Sequence, residues 1–271
     1  LACSRLRKSG GRDAARAIMT TDTFLKEVTV HGRLDGTLVI IGGMAKGSGM
    51  IHPDMATMLA FLSTDANVEP RSLQAALTIA TNQSFNCISV DGDTSTNDTV
   101  LCLANGVAGN SPLSLRSPEF PRFQDMLNLA CRHLALLVCK DGEGMTKLIE
   151  LHVRGTKTEK DARTIARTVS TSALVKTAVF GEDANWGRIM AAIGRAGVPL
   201  SPEKIKISFD RTPIVRKGMT LGPTAERLLD RIVKRKQFTI TIDLGLGSAS
   251  CTTWFTDLSF DYVKINASYR S

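Results

Sequence analysis

The chain has 271 residues, a hydrophobic content of 43% and a net charge of +8, so it can bury a core as one large domain or two ordinary ones. No apolar run approaches the roughly 18 residues that a membrane span requires, which predicts a soluble protein. The basic residues are dispersed apart from two clusters, and no aromatic residues accompany the later cluster, so a surface that stacks nucleic-acid bases is not expected. Anionic small molecules suit the charge equally well.

The six cysteines and four histidines show no spacing typical of metal ligands. The cysteines form no C-x-x-C pair, and most lie in apolar surroundings, so buried reduced thiols in an intracellular protein are expected. The histidines form no H-E-x-x-H group. The sequence therefore predicts no metal site.

Strands and helices are mixed along the chain, which indicates an α/β or α+β protein. Two strands are predicted at 28–34 and 38–41, joined by a turn at Asp35-Gly36, and Gly42-Gly43 is expected to end the second strand. A boundary between a central and a carboxy-terminal region is expected at 199–203. Further strands are predicted at 148–153, 205–209, 238–244 and 251–258, and helices at 70–81, 123–139, 161–169, 173–180, 187–194 and 224–236.

The stretch from Gly42 to Leu59 holds four glycines and one proline in 18 residues. Such a composition favours restricted or strained backbone over a regular helix or strand. Its Lys46-Gly-Ser-Gly run could cradle a phosphate, although the P-loop order G-x-x-x-x-G-K-[ST] is missing, or the whole stretch could be a structural turn. A resemblance supplies a third interpretation.

Residues 46–59 match the pattern K-G-x-G-M-x-x-P-x-M-A-T-M-L at every fixed position. This pattern resembles the self-cleavage motif of the ornithine acetyltransferases, also called glutamate N-acetyltransferases. The sequence is identified as a member of this family, and the resemblance covers nearly the whole chain. It continues, in the family's order, through residues 17–23, 90–98, 141–144, 180–188 and 262–271.

The resemblance implies a layered α/β sandwich of the type found in autoprocessed ornithine acetyltransferases and amino-terminal-nucleophile aminopeptidases, with a smaller carboxy-terminal α/β domain. It also implies cleavage of the Ala56–Thr57 peptide bond. Residues 1–56 would then be the end of the upstream fragment, 57–198 the central part of the downstream fragment, and 199–271 its carboxy-terminal domain. Two copies of each fragment, an α2β2 heterotetramer, are the assembly expected for the family.

Cleavage would turn Thr57 into an amino-terminal nucleophile. A hydroxyl group beside a strained peptide carbonyl can attack it and convert the amide into an ester, which water hydrolyses. The α-amine released on Thr57 has an unperturbed pKa of about 7.7–8.0, so part of it is neutral near pH 7 and can act as general base toward the hydroxyl group of the same residue. The resemblance implies that Thr57 takes an acetyl group from N2-acetylornithine, releases ornithine and passes the acetyl group to glutamate.

The substrate contacts of the family fall, by resemblance, on residues from both ends of the chain. Each has a structural alternative, such as an ordinary strand or turn residue, a solvated loop lysine or a frayed terminus. Asp91, Asp93 and Asp98 look like a catalytic cluster, but Asx-type turns are the favoured interpretation, and the run 183–188 is expected to be structural. The implied substrate-binding residues are Thr20, Lys46, Thr57, Glu143 (facing the δ-ammonium group of the substrate), Asn266 and Ser271.

The resemblance implies no metal or organic cofactor and leaves acetyl-CoA open as a co-substrate. Small-molecule substrates are expected, without nucleic-acid or membrane partners, in the cytoplasm or, for a eukaryotic source, in an organellar matrix. The sequence departs from the family at Ser268, which replaces an acidic residue. The upstream region of the family, whose Thr-Gly pair forms the oxyanion hole, has no counterpart before Ala17, so the chain is expected to begin within a longer protein.

Two other functions stay open. Autoprocessed peptide or amide hydrolysis is one, because a related fold supports such aminopeptidases, although Lys46, Glu143 and Asn266 argue against it. A non-catalytic remnant is the other, and it would follow from the missing upstream region.

Overall fold

The computed structural model describes residues 7–52, 58–94 and 97–268, which contain both helices and strands. The α-helices of this part of the chain are α1 (Gly11–Ala17), α2 (Pro70–Asn82), α3 (Phe120–Lys140), α4 (Glu159–Ser170), α5 (Ala173–Phe180), α6 (Trp186–Gly194), α7 (Pro223–Val233) and α8 (Phe260–Ser268). Its strands are β1 (Lys26–Leu34), β2 (Thr37–Lys46), β3 (Leu59–Thr64), β4 (Ile88–Ser89), β5 (Thr99–Ala104), β6 (Leu148–Thr156), β7 (Lys206–Phe209), β8 (Thr212–Arg216), β9 (Met219–Thr220), β10 (Gln237–Asp243) and β11 (Ala249–Thr256).

The chain forms two compact units. The first comprises the residues up to Ile88 together with Asp93–Asp141, and the second comprises Ser89–Gly92 and the residues from Gly142 onward. The three segments predicted from the expected cleavage point divide the chain differently and stay a prediction. Residues 199–203, the expected boundary, lie inside the second unit.

The first unit is built on a four-stranded sheet with the strand order β1-β2-β3-β5. The predicted hairpin is confirmed: β1 and β2 pair antiparallel, and both turn residues, Asp35 and Gly36, have the positive φ values (47° and 78°) that tight two-residue loops favour. Strand β3 pairs antiparallel with β2 and parallel with β5. Lys46, Leu59 and Thr99 therefore lie side by side across the sheet.

Helix α3 packs against β1 and β2 at two strand glycines. A Cβ atom on Gly43 would lie 3.2 Å from Leu134 Cδ1 and 3.3 Å from Leu62 Cγ, and one on Gly32 would lie 2.8 Å from Met126 Sδ. Glycine inside a strand often marks such a close approach. The helix and the neighbouring strand thus occupy the space that a side chain would need.

The predicted end of the second strand at Gly42-Gly43 is wrong, because β2 continues through both glycines to Lys46. Gly43 serves the packing of α3 and does not break the strand. Strands β3 and β5 were not predicted either. In β5 the apolar residues fall on both faces, with Cys102 buried and Leu101 and Leu103 exposed, so the alternation that signals a strand is missing.

The second unit is built on a seven-stranded sheet with the strand order β4-β11-β6-β10-β7-β8-β9. The long strand β6 pairs antiparallel with β11 and parallel with β10, and its buried residues Ile149, Leu151 and Val153 join the core with Ile165 and Val169 of α4. The predicted strands and helices of this unit are confirmed, with ends that differ by at most three residues. The short strands β4, β8 and β9 and helix α8 were not predicted.

The described cysteines Cys87, Cys102, Cys131, Cys139 and Cys251 are all buried, as expected. Burial raises the pKa of the Cys102 thiol to about 11 and that of Cys131 to about 12. Within residues 7–52, 58–94 and 97–268, no helix has both the length and the apolar character needed to cross a membrane. In the same residues, no group of three or more His, Cys, Asp or Glu side chains is arranged to hold a metal ion.

Replacing Gly43 with alanine is expected to lower the free energy of unfolding by about 1–3 kcal/mol, because the added methyl group enters a filled core. Gly42→Ala is the matched control, since a Cβ atom there would meet only Ser63 Oγ at 3.9 Å. The control should lie within about 1 kcal/mol of the wild type. Urea-induced unfolding of the three proteins, followed by circular dichroism, measures the difference, and equal effects of the two substitutions would contradict it.

Candidate active site

The predicted site residues are distributed over both units. Thr20 and Lys46 belong to the first unit, and Glu143 and Asn266 belong to the second. Ala56 and Thr57, which flank the predicted cleavage point, and Ser271 lie outside the described residues.

The Asp22 carboxylate joins the two predicted substrate-binding segments of the first unit. Its Oδ1 accepts a hydrogen bond from the backbone N–H of Gly47 (2.7 Å), directly after Lys46, and its Oδ2 accepts one from the backbone N–H of Thr20 (3.1 Å). Lys46 itself ends β2 and is only 9% exposed, while Thr20 is exposed. The structure thus brings these two segments together through Asp22, which is not among the predicted site residues.

Asp22 is held by a buried ion cluster. The Lys26 ammonium contacts Asp22 (2.5 Å) and Asp141, and the three side chains are at most 2% exposed. Asp141, directly after α3, also accepts hydrogen bonds from the backbone N–H and the hydroxyl group of Thr23. Burial acts to raise the pKa of Asp22, but the Gly47 N–H and the Lys26 ammonium outweigh it and hold that pKa below 3.8. The cluster therefore keeps Asp22 ionised.

The backbone after Lys46 is restricted, as its composition predicts. Gly47 has a φ of 147° and Met50 a φ of 51°, a region that non-glycine residues rarely adopt. Ser48 is buried, and its hydroxyl oxygen lies 2.6 Å from Thr21 Oγ1. These contacts anchor the start of the segment that leads to the predicted nucleophile.

Met58 directly follows the predicted nucleophile, and both its backbone N–H and its backbone carbonyl form hydrogen bonds. Its N–H donates to Asp98 Oδ1 (2.6 Å), and its carbonyl accepts a hydrogen bond from the N–H of Thr99 (3.1 Å). The prediction of an Asx-type turn at Asp98 is wrong, because the Asp98 carboxylate accepts a hydrogen bond from a residue 40 positions away. For Asp91 and Asp93 the turn interpretation stays a prediction.

The environment of Asp98 is only partly polar. Burial raises the pKa of its carboxyl group above 3.8, and the Met58 N–H and the positive charge of Lys46 act against that rise. Its Oδ2 is buried and has no hydrogen-bond partner among the described residues. Asp98 also lines a cavity of about 530 Å³ beside α2. Four residues of α2, Gln74, Thr78, Thr81 and Asn82, line the same cavity.

In the second unit, Glu143 and Asn266 meet although 123 positions separate them. Asn266 Nδ2 donates to Glu143 Oε2 at 3.0 Å and to the carbonyl of Tyr262, one turn earlier on α8, also at 3.0 Å. Glu143 is half-buried, and Asn266 is exposed. The alternative of a frayed terminus fails at Asn266, because this residue lies within a helix.

Gly144 permits this contact, because α8 begins directly against it. A Cβ atom on Gly144, whose φ is 66°, would lie 2.3 Å from the backbone N of Tyr262. The Ser259 hydroxyl group donates to the Gly144 carbonyl and accepts from the Tyr262 N–H (3.2 Å). Asp257, buried just before α8, accepts the N–H of Thr146 at 2.8 Å. The loop that carries Glu143 and the start of α8 are therefore fixed to each other.

The run 183–188 has the structural role expected of it. The Asn185 side chain accepts a hydrogen bond from the N–H of Arg188 (3.0 Å) and caps the start of α6. The Arg188 guanidinium group donates to the carbonyl of Leu174 on α5 (2.8 Å). These bonds hold α5 and α6 together at their connection.

Known proteins resemble this chain along its whole length. The model of the ArgJ family matches residues 2–271. The chain belongs to the ArgJ family. This membership confirms the resemblance predicted from the motifs and, with it, the assignment to the glutamate N-acetyltransferase/ornithine acetyltransferase class of enzymes.

Two curated relatives and one solved structure show the extent of the likeness. The chain is 50% identical to the arginine biosynthesis bifunctional protein ArgJ of Symbiobacterium thermophilum over 100% of this chain and 67% of that protein. It is 48% identical to the protein of the same name from Staphylococcus aureus strain Mu50, over 94% of this chain and 62% of that protein. The crystal structure of arginine biosynthesis bifunctional protein ArgJ from Bacillus halodurans matches with a TM-score of 0.74 and 41% identity, over 77% of this chain and 98% of that one. The predicted α/β fold is confirmed, and the chain spans about two thirds of the length of its curated ArgJ relatives.

The Asp22→Asn substitution keeps an oxygen for the Gly47 N–H but removes a charge that pairs with buried Lys26. We expect it to lower the free energy of unfolding at pH 7 by about 3–5 kcal/mol. Since the pKa of Asp22 is lower in the folded protein than in the unfolded chain, its charge stabilises the fold above pH 3.8, and this stabilisation is lost as the pH falls through the folded pKa. The difference from the wild type should therefore shrink below pH 3.8.

Urea unfolding measured between acid and neutral pH tests this expectation. Asp13→Asn is the matched control, because Asp13 pairs with Arg7 on the surface, where both side chains are more than 60% exposed. It should cost less than about 1 kcal/mol. An effect of Asp22→Asn that did not depend on pH would rule out the charge as its cause.

The Gly144→Ala substitution is expected to detach the start of α8 from the loop that carries Glu143. Gly197→Ala is the control, because Gly197 also has a positive φ (70°) but no atom within 4 Å of its would-be Cβ. Both variants share the backbone strain, and only Gly144→Ala adds a collision with Tyr262. Chymotryptic cleavage after Tyr262 should be several-fold faster in Gly144→Ala than in Gly197→Ala, and equal rates would contradict the expectation.

Proposed function

We propose that the protein transfers an acetyl group from N2-acetylornithine to glutamate and so forms ornithine and N-acetylglutamate for arginine biosynthesis. The hydrogen bond between Glu143 and Asn266 carries the proposal, since two residues that the resemblance assigns to the substrate meet across 123 positions. A carboxylate paired with an amide suits the ammonium groups of an amino acid. The arginine biosynthesis names of the relatives support the pathway.

In this proposal the nucleophile is made by self-cleavage. The Thr57 hydroxyl oxygen attacks the Ala56 carbonyl, the peptide C–N bond breaks as the ester forms, and water hydrolyses the ester. This leaves a carboxylate on Ala56 and a free α-amine on Thr57. The Bacillus halodurans chain supports such a fragment: the matched 77% of this chain, about 209 residues, is 98% of that chain, which therefore has about 213 residues. The fragment from Thr57 to Ser271 has 215 residues.

The acetyl group then moves in two steps. The Thr57 α-amine takes the proton of its own hydroxyl group, and the oxygen attacks the acetyl carbonyl of N2-acetylornithine. The proton passes to the departing α-amine of ornithine, and an acetyl ester remains on Thr57. The α-amine of glutamate attacks this ester, and Thr57 recovers its proton. Buried Lys46 suits a substrate carboxylate, and the chemistry proposed needs no metal or organic cofactor.

A second activity is favoured by one observation, the word bifunctional in the names of the relatives. Acetyl-CoA would serve as an alternative acetyl donor in the first step. Its thioester would pass the acetyl group to Thr57, and the thiol would leave with the proton. The second step, transfer to glutamate, would be unchanged.

The decisive test uses the full-length protein and its Thr57→Ala variant. Intact mass spectrometry should find two fragments that separate at Ala56–Thr57 in the wild type and one chain in the variant. Only the wild type should produce N-acetylglutamate from N2-acetylornithine and glutamate. Thr177→Ala, at an exposed threonine of α5, should behave as the wild type.

Other outcomes would favour the alternatives. A single uncleaved wild-type chain without activity would indicate a non-catalytic remnant. Peptide hydrolysis by the cleaved protein, without acetyl transfer, would indicate an aminopeptidase.

A further inference from the structure

One face of the seven-stranded sheet carries polar side chains where β11, β6 and β10 pair. Strand β6 buries alternate residues in the core, and the residues between them, Glu150, His152 and Arg154, lie on the opposite face. The register places Thr252 of β11 directly beside His152 and Thr241 of β10 on its other side. His152 is therefore the middle residue of a polar row that crosses three strands.

The His152 ring lies between a hydroxyl group and a carboxylate. Its Nδ1 is 2.8 Å from Thr252 Oγ1, and its Nε2 is 3.2 Å from Glu150 Oε1. When the proton of the neutral ring is on Nε2, facing the carboxylate, Nδ1 accepts a hydrogen bond from the Thr252 hydroxyl group. A hydroxyl group beside an imidazole that a carboxylate orients is the arrangement that activates a nucleophile.

A substrate-sized space lies beside the hydroxyl group and the ring. Thr252 and His152 both line a cavity of about 590 Å³, within the size range of small-molecule sites. Arg154 lines the same cavity and belongs to the neighbouring cross-strand pair, beside Ser250. Its guanidinium group is 3.3 Å from the Asp243 carboxylate, and the side chain is 61% exposed. The cavity thus combines a nucleophile with a positive donor for an oxyanion.

We propose that Thr252, His152 and Glu150 form a second nucleophilic site, which hydrolyses small carboxylic esters. Thr252 is the nucleophile, His152 is the general base, and Glu150 is a positioning residue that holds the ring. Arg154 stabilises the negative charge that develops on the carbonyl oxygen of the ester. This activity does not depend on the proposed acetyl transfer, because the two use different residues.

The reaction proceeds through an acyl ester on Thr252. As Oγ1 attacks the carbonyl carbon of the substrate, His152 Nδ1 takes the hydroxyl proton. The bond between that carbon and the alcohol oxygen breaks, and the alcohol leaves with the proton. Nδ1 then takes a proton from water while the water oxygen attacks the acyl group. Thr252 recovers this proton as the carboxylic acid is released.

Hydrolysis of p-nitrophenyl acetate by the full-length protein tests the proposal. All variants carry Thr57→Ala as well, because a nucleophile at residue 57 would act on the same ester. Thr252→Val keeps the branched shape but removes the hydroxyl group, and His152→Gln removes the base. Each should lower kcat/KM by at least about 10-fold, since a general base typically contributes roughly 10²–10⁴-fold. Combining them should lower it no further, because residues that act as a unit are not additive.

Matched controls distinguish the site from a general effect of substitution. Thr252→Ser keeps a hydroxyl group and should retain most of the activity. Thr177→Ala and His133→Gln, at exposed positions of α5 and α3, should leave it unchanged. Glu150→Gln removes the charge that orients the ring. It should lower kcat several-fold and leave KM within about two-fold, because Glu150 acts through His152 and does not contact the ester.

Covalent labelling identifies the nucleophile directly. Diethyl p-nitrophenyl phosphate transfers its phosphoryl group to an activated hydroxyl group and releases p-nitrophenolate. Peptide mapping by mass spectrometry should find the adduct on Thr252 in the Thr57→Ala protein and none after His152→Gln is added. This measurement needs no substitution at Thr252, so it decides the question even if Thr252→Val does not fold.

Two results would overturn the inference. One is ester hydrolysis that Thr252→Val and His152→Gln leave unchanged, and the other is the lack of an adduct on Thr252. Neither result bears on the proposed function. N-acetylglutamate formation, measured in the Thr252→Val variant with Thr57 intact, should equal that of the wild type.

Discussion

The site of the first unit depends on two buried ion pairs, which the ammonium group of Lys26 forms with Asp22 and Asp141. Removing an ion from water costs several kcal/mol, and the cost is offset only when its partners are close and well hydrogen-bonded. Here the partners come from the segment before β1 and from the end of α3, and the Asp22 carboxylate extends the network to the end of β2. Charges that bind no substrate in the proposal thus set the positions of Thr20 and Lys46.

The second unit also holds its predicted site residues in place, but it does so through different interactions. Its predicted residues Glu143 and Asn266 are placed by a glycine that lets a helix start against the loop and by the hydroxyl group of Ser259, which bonds to both sides of the contact. Asp257 adds a buried carboxylate that binds backbone N–H groups instead of an ammonium group. Steric fit and backbone hydrogen bonds here replace the ion cluster of the first unit.

The parts of the fold that local signals encode could be predicted from sequence. The hairpin has turn residues that favour a positive φ, and the helices of the second unit show their periodicity over two or more turns. The continuation of β2 through its glycines could not be predicted. Gly43 leaves room for a side chain of α3 that lies about ninety positions away in the sequence, and no local pattern shows this contact. Strand β5 was missed because it exposes leucines on one face while burying a cysteine on the other. Asp22 lies inside the family-like stretch 17–23, with Lys26 four residues later, and that spacing is the signal that could have found it.

The short distance between Gly43 and Leu134 has an evolutionary consequence. The carbonyl oxygen of Phe61, 3.3 Å from the would-be Cβ atom, belongs to a paired strand, so an enlargement at position 43 must be absorbed mainly by the side chains of Leu134 and Leu62. Positions 43 and 134 are therefore expected to covary among homologues, with a larger residue at one accompanied by a smaller residue at the other. Chimeras that exchange β2 between homologues should consequently tolerate the exchange best when α3 is transferred with it.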